Sequence, residues 1–235
     1  MTDRAYKYRF YPTPEQEVVL AQTFGCARYV YNWALDYRTQ AYREREESLN
    51  YYDLSRALTE LKKQPKTNWL SDVSCVPLQQ SLRHQEGAFR NFFDGRAGYP
   101  KFKKKHNRQS VEYTRSAFSW DGERLALAKM PGDLDIRWSR SFKGKPTTVT
   151  LSRDPADRYF VSFRVKEDIK PKPITPNMVG VDLGLSHVAI LSSGEKVSNP
   201  HFLKKDEGRL KKAQQDLSKK KLGSKNREKA RTRVA

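Results

Sequence analysis

MVGVDLGLSHVAILSSG, residues 178–194, sets a single carboxylate, Asp182, between two glycines at the end of one apolar strand and directly ahead of another. Gly180 and Gly184 allow the backbone to bend or to be approached closely, and strand alternation sends Val181 and Leu183 to the face opposite Asp182. Val188 to Leu191 form a short continuous apolar run, and Ser192-Ser193-Gly194 is turn chemistry leading to Lys196 and Val197. A β-hairpin is therefore expected, preceded by a buried strand that ends at Asp182. An aspartate so placed has two readings: a directed carboxylate of the kind a divalent-metal site needs, or an Asx-turn between strands.

The chain around it is strongly cationic. Among 235 residues, 46 Lys and Arg face 27 Asp and Glu, a formal charge of +19. An excess of that size points to nucleic acid or to an anionic membrane surface. The membrane reading is the weaker one. No stretch approaches the roughly 18 apolar residues of a spanning helix, and the opening MTDRAYKYRF lacks the apolar core of a signal peptide, so a cytoplasmic protein with no membrane partner is expected. Cys26 and Cys75 stand far apart with no Cys-x-x-Cys, so neither a disulfide framework nor a zinc ribbon is encoded in these residues.

Tyr6 to Tyr11 alternates ring and cation, the period of a strand with one packed and one basic face, and stops at Pro12. Thr13-Pro14-Glu15-Gln16 then supplies an N-cap, a proline at the first helical position and a glutamine three after the cap. Leu20, Phe24, Ala27, Tyr31 and Leu35 follow at helical spacing, with Gly25 as a candidate break; Leu54, Leu58 and Leu61 mark a second helix, and Leu78, Leu82, Gln85, Phe89 and Phe92 a third. Among these helices, Arg28, Asn32, His84 and Arg90 read as ordinary solvated or capping side chains. After Asp94 the period changes to strands at Val111–Tyr113, Arg124–Ala128, Asp135–Trp138, Thr147–Leu151 and Tyr159–Val165, which suggests a small barrel or curved sheet completed by the N-terminal strand. The helical bundle would then be an insertion. Lys170-Pro171-Lys172-Pro173-Ile174-Thr175-Pro176 reads as an interdomain linker. Beyond Leu203 a cationic helical hairpin has only Leu210, Ala213 and Leu217 as a narrow apolar stripe, so it needs a phosphate backbone, a protein partner or both.

Seven blocks in order carry a resemblance that none carries alone: YRFYPTPEQ at the start, ARYVYNWAL at 27–35, NWLSDV at 68–73, LQQSL at 78–82, GYPKFKKK at 98–105, VGVDLGL at 179–185 and LKKAQQDLSKKKLGSKNREKAR at 210–231. The chain resembles the OrfB, or TnpB, family encoded by bacterial insertion sequences and related to the type V CRISPR effectors. The resemblance implies an α+β multidomain protein: a wedge β-barrel from residues 1–13 and 98–172, a helical recognition lobe inserted at 14–97, and the N-terminal part of a RuvC, RNase H-like α/β domain at 177–235. It implies guide RNA and double-stranded target DNA as partners and a location at the bacterial nucleoid. No motif sets an oligomeric state.

By the same resemblance, Asp182 falls on the first catalytic aspartate of the RuvC motif, a ligand for Mg²⁺. Tyr51, Ser55 and Gln79 fall at positions facing the target-adjacent duplex, where hydroxyls and an amide suit base edges or phosphates. Lys101, Lys103, Lys104 and Lys105 are candidates for RNA phosphates, and Lys211, Lys212, Lys219 and Lys220 of the basic hairpin are candidates for nucleic-acid contact through their charge. Tyr99 offers a ring for base stacking, whereas Phe102 is expected in the wedge core. The family's further Glu and Asp ligands and its Cys-x-x-Cys pairs lie downstream of position 235, and Glu195 and Glu207 do not fill those roles. One carboxylate binds Mg²⁺ weakly, so the expectation is a nucleic-acid binder of the RNA-guided endonuclease type that does not itself cut DNA. Two alternatives stay open: a non-cleaving RNA- or DNA-binding regulator, and a conventional transposase that binds element ends directly.

Overall fold

The computed structural model describes residues 1–234 apart from Lys170, Lys172, Ile174 and Asn177. These four fall in and beside the expected linker, which therefore lies partly outside the described residues. Two compact units are present, Met1–Asp168 and Ile169–Ala235.

The first unit opens with strand β1 (Thr2–Tyr11), whose alternation buries Tyr8 and Phe10 and leaves Lys7 and Arg9 on the other face. Those two cations lie over the ring of Phe160, at 4.0 and 5.5 Å from its centroid. Helix α1 (Pro14–Arg45) begins with both halves of the Thr13–Gln16 capping box formed. Gln16 does more than cap: its Nε2 also donates to the carbonyls of Pro131 and Asp133, at 2.8 and 3.0 Å, tying the helix start to the sheet. The helix runs unbroken through Gly25, the candidate break. One interior glycine costs only about 1 kcal/mol, and the buried Leu20, Phe24, Ala27 and Val30 on either side hold the helix through it. Helix α2 (Tyr51–Lys63) starts on an Asn50–Asp53 capping box, and α3 (Cys75–Phe93) follows a 3₁₀ turn at Asn68–Ser71.

Six strands complete this unit: β2 (Gln109–Thr114), β3 (Phe118–Trp120), β4 (Leu125–Leu127), β5 (Asp135–Arg137), β6 (Pro146–Arg153) and β7 (Tyr159–Glu167). Five strands pair antiparallel in the order β2-β6-β7-β1-β5, and β3 and β4 form a separate hairpin. No ladder joins β2 to β5 among the described residues, so by hydrogen bonding the sheet is open. The three helices do lie between β1 and β2 in sequence, yet they are not a separate body. Leu20, Phe24, Leu54, Leu78 and Leu82 from the helices share one core with Tyr113, Leu151, Val161 and Phe163 from the sheet.

Cys26 lies inside that core, and burial pushes its thiol up from the ordinary 9.0 to about 11. The native state therefore keeps a proton that the unfolded chain releases near pH 9. That stabilisation is complete below the unfolded value and fades as pH rises through the folded one. Urea titrations between pH 9 and 11 should show stability falling by up to about 3 kcal/mol from this group.

The second unit holds β8 (Val181–Asp182), β9 (His187–Leu191) and β10 (Lys196–Ser198), a three-stranded meander in the order β10-β9-β8, then helices α4 (Phe202–Ser218) and α5 (Lys225–Val234). The expected hairpin is present, and its turn uses Gly194 at φ 88° with its amide donating to the Leu191 carbonyl. The strand before Asp182 is not buried. Val181, Leu183 and Leu185 are 53, 74 and 89 % exposed, because among the described residues of this unit only β9 pairs with β8. The α4–α5 hairpin is held mainly by polar contacts: Arg227 Nη1 donates to the carbonyls of Leu217 and Lys220, both at 2.9 Å.

Candidate nucleic-acid interface

The segment 101–108 between α3 and β2 is positioned by α1. Asn32 brackets Lys103 with two hydrogen bonds: the Lys103 amide donates to Asn32 Oδ1 at 2.8 Å, and Asn32 Nδ2 donates back to the Lys103 carbonyl at 3.0 Å. Gln109 Nε2 gathers the next carbonyls, from Lys104 at 3.1 Å and Asn107 at 2.6 Å, while its Oε1 accepts from Arg28 Nη1 at 2.8 Å. A loop of lysines would splay under its own repulsion; here three neutral or guanidinium side chains fix its backbone. Arg28 and Asn32 are thus bridging residues rather than the solvated side chains expected, and His84 likewise reaches across to Glu112 at 3.2 Å.

The clamp sorts the four lysines. Lys103 is turned onto α1, with Nζ 4.2 Å from the centroid of the Tyr31 ring, and desolvation holds its pKa below the ordinary lysine value. All four lysines are exposed and have no ion-pair partner among the described residues. Phe102 is 57 % exposed, not in the core as expected. Lys103 is exposed as well, and it differs from its neighbours in the Tyr31 ring beneath its ammonium. Tyr99 is pinned by its hydroxyl to Thr39 at 2.8 Å and packs edge-on against Phe89 and Phe92.

Tyr51, Ser55 and Gln79 are distributed along the α2–α3 seam. Tyr51 is only 9 % exposed, in the core with the Arg83 guanidinium 4.2 Å from its ring centroid. Its spacing to Leu54 and Leu58 is that of one helix face, a signal that could have placed it inside. Ser55 and Gln79 are partly exposed; beside Ser55 the open surface belongs to Tyr52, Arg56 and Thr59. In the second unit Lys211, Lys212, Lys219 and Lys220 are all exposed, again without an ion-pair partner among the described residues.

Asp182 sits on β8 opposite Ile190. The segment is held by Gly180, whose amide donates to Ser192 Oγ at 3.0 Å and whose carbonyl accepts from the Ser192 amide at 2.8 Å. Neither Gly180 nor Gly184 has a positive φ, so the left-handed freedom of glycine is not used at either position. No cluster of three His, Cys, Asp or Glu side chains capable of holding a metal occurs among the described residues. No helix among them is long and apolar enough to cross a membrane.

Comparison with known proteins gives these arrangements a context. A helix-turn-helix domain profile of the IS605 OrfB type matches residues 1–47, and a profile described as "Probable transposase" of the same type matches residues 161–235. The first label does not describe what those residues form, which is one strand and one uninterrupted helix. A Streptomyces pristinaespiralis protein named "Putative RNA-guided DNA endonuclease" is 52 % identical over 235 residues. An Escherichia coli K12 protein, "Putative RNA-guided DNA endonuclease InsQ", is 30 % identical over 234 residues. The alignments take in 99 and 98 % of the chain, which spans 58 % of the length of each relative. Among solved structures, a Cas12f1 protein in complex with sgRNA and target DNA superposes with a TM-score of 0.51 at 11 % identity, covering 98 % of the chain and 74 % of Cas12f1. That likeness is one of fold.

Proposed function

Because the chain belongs to the OrfB, or TnpB, family of insertion-sequence proteins, we propose that it is the RNA- and target-DNA-binding part of an RNA-guided DNA endonuclease. In this reading residues 1–13 and 98–172 are a wedge domain on guide RNA, residues 14–97 a recognition lobe facing target DNA, and residues 177–235 the opening of a RuvC-type domain. Base pairing between guide and target reads sequence, and the protein supplies backbone contacts and a short duplex motif. The observation that carries the proposal is the clamped loop: Asn32 and Gln109 hold a backbone from which Lys101, Lys104 and Lys105 project without anionic partners among the described residues. Point charges on a fixed frame suit phosphates.

Asp182 is the proposed first RuvC carboxylate. Alone, exposed and without a second ligand cluster among the described residues, it does not by itself compose a two-metal nuclease centre, so no hydrolytic step is assigned to these residues. The test combines the 235-residue chain, a guide RNA, a matched duplex and Mg²⁺. Guide-dependent duplex binding, unchanged by Asp182→Ala and without strand scission, is the expected result. Scission abolished by Asp182→Ala would overturn the non-cleaving part of the proposal. Sequence-specific binding to element ends without RNA would overturn the RNA-guided part and favour a conventional transposase.

A further inference from the structure

A groove over the sheet, separate from the lysine loop, is lined by aromatic rings and by cations. Its cavity of about 670 Å³ is walled by Trp120, Trp138 and Phe142, with Arg124 and Arg140 at its sides and Glu123 as the acid in its lining. Ser141 and Phe142 also line an adjoining cavity of about 400 Å³ whose charges are mixed, Lys143 and Lys166 beside Glu167 and Asp168. Both cavities lie within the first unit.

The rings are unusually placed for a core. Trp138 is 41 % exposed, and Trp120 and Phe142 are half-buried. All three rest on the fully buried Phe163, with ring centroids 5.8, 5.0 and 5.2 Å from it. Trp120 and Phe142 are near-parallel, 5.6 Å apart at 21°. Aromatic surface held rigid from below and open above offers a stacking platform with little ordering cost on binding. The Arg140 guanidinium lies over Tyr6 and Tyr8, 5.6 and 5.5 Å from their centroids. Arg140 has no anionic side-chain partner among the described residues, whereas Arg124 lies near Asp121, whose Oδ1 accepts the Arg124 amide at 2.7 Å. Ser139 and Ser141, on either side of Arg140, present hydroxyls without hydrogen-bond partners among the described residues, and a ribose 2′-hydroxyl is both donor and acceptor.

We infer that this groove holds an unpaired nucleotide of single-stranded RNA, its base stacked on the Trp120–Trp138–Phe142 surface and its phosphate beside Arg140. The inference rests on the reading of the chain as an RNA binder and names a contact distinct from the lysine loop. Flat π-faces accept any base, so recognition here is of single-strandedness rather than sequence.

The probe is a short oligoadenylate RNA titrated into the full 235-residue chain, followed by tryptophan fluorescence and by anisotropy of a labelled oligomer. Trp138→Ala should weaken binding about 5- to 150-fold, the range for removing one base–aromatic stack, and should remove most of the fluorescence quench. Trp138→Phe should restore most of the affinity. Arg140→Ala, a surface change that leaves the rings in place, should lower the slope of log affinity against log salt by about 0.7. Circular dichroism melts verify that each variant is folded. Unchanged binding in folded Trp138→Ala and Arg140→Ala, with binding lost in Lys101→Ala/Lys104→Ala/Lys105→Ala, would overturn the groove while leaving RNA binding intact. Equal affinity for the deoxy oligomer of the same sequence would overturn the assignment to RNA.

Discussion

Raising monovalent salt from about 50 to about 200 mM should weaken RNA binding by this chain about 10³- to 10⁵-fold, the loss expected when six to ten phosphates are neutralised. The estimate follows from the exposed lysines on both units. Lys101, Lys104 and Lys105 on the clamped loop and Lys211, Lys212, Lys219 and Lys220 on the α4–α5 hairpin have no anion among the described residues to release when a phosphate arrives. Each therefore contributes counterion release in full. Removing the three loop lysines together should reduce the slope on single-stranded RNA by about 2, measurable by anisotropy across a salt series. Lys103→Ala should change the slope less than Lys104→Ala, because the Lys103 ammonium is already engaged with the Tyr31 ring. A slope indifferent to the triple substitution would remove the loop from the interface.

Phe163→Ala should destabilise the first unit by about 3–5 kcal/mol. Phe163 is fully buried on β7, paired across the ladders with Tyr6 and Val149, and its ring meets Tyr8, Trp120, Trp138 and Phe142. Removing it deletes the floor on which four other rings rest, and rings of fixed shape close such a void poorly. Urea unfolding followed by tryptophan fluorescence measures the loss. A cost below about 1 kcal/mol would mean that these rings repack freely, and would weaken the case for a rigid stacking platform above them.

What was legible in the sequence depended on how far the determining contacts reach. The start of α1 was readable because Thr13, Pro14 and Gln16 act on backbone within one turn. The hairpin after Asp182 was readable because Ser192-Ser193-Gly194 specifies a turn by itself. The candidate break at Gly25 and the buried strand expected at Val181 were wrong for one shared reason: each turns on what packs around the segment, not on its own composition. Lys103 is the clearest case in the candidate interface. Nothing within Lys101-Phe102-Lys103-Lys104-Lys105 distinguishes its third residue; only Asn32, 71 positions earlier, does. The family resemblance placed Tyr51 on a duplex-facing surface, whereas its helical spacing to Leu54 and Leu58 already put it among core positions.

The pairing of β1 with β7, which sets Thr2 opposite Glu167, has a consequence for synthesis. A ribosome releases β1 first, β5 about 120 residues later and β7 after that, so at the usual rates of elongation the side of β1 that pairs with β7 waits roughly 10–30 s. Through that interval the segment is an edge with three tyrosines and a phenylalanine, the kind that joins the wrong chain. Lys7 and Arg9 interrupt it between the rings, and Arg4 precedes them. Before any nucleic acid is bound, those cations serve the nascent polypeptide as gatekeepers against self-association on the polysome.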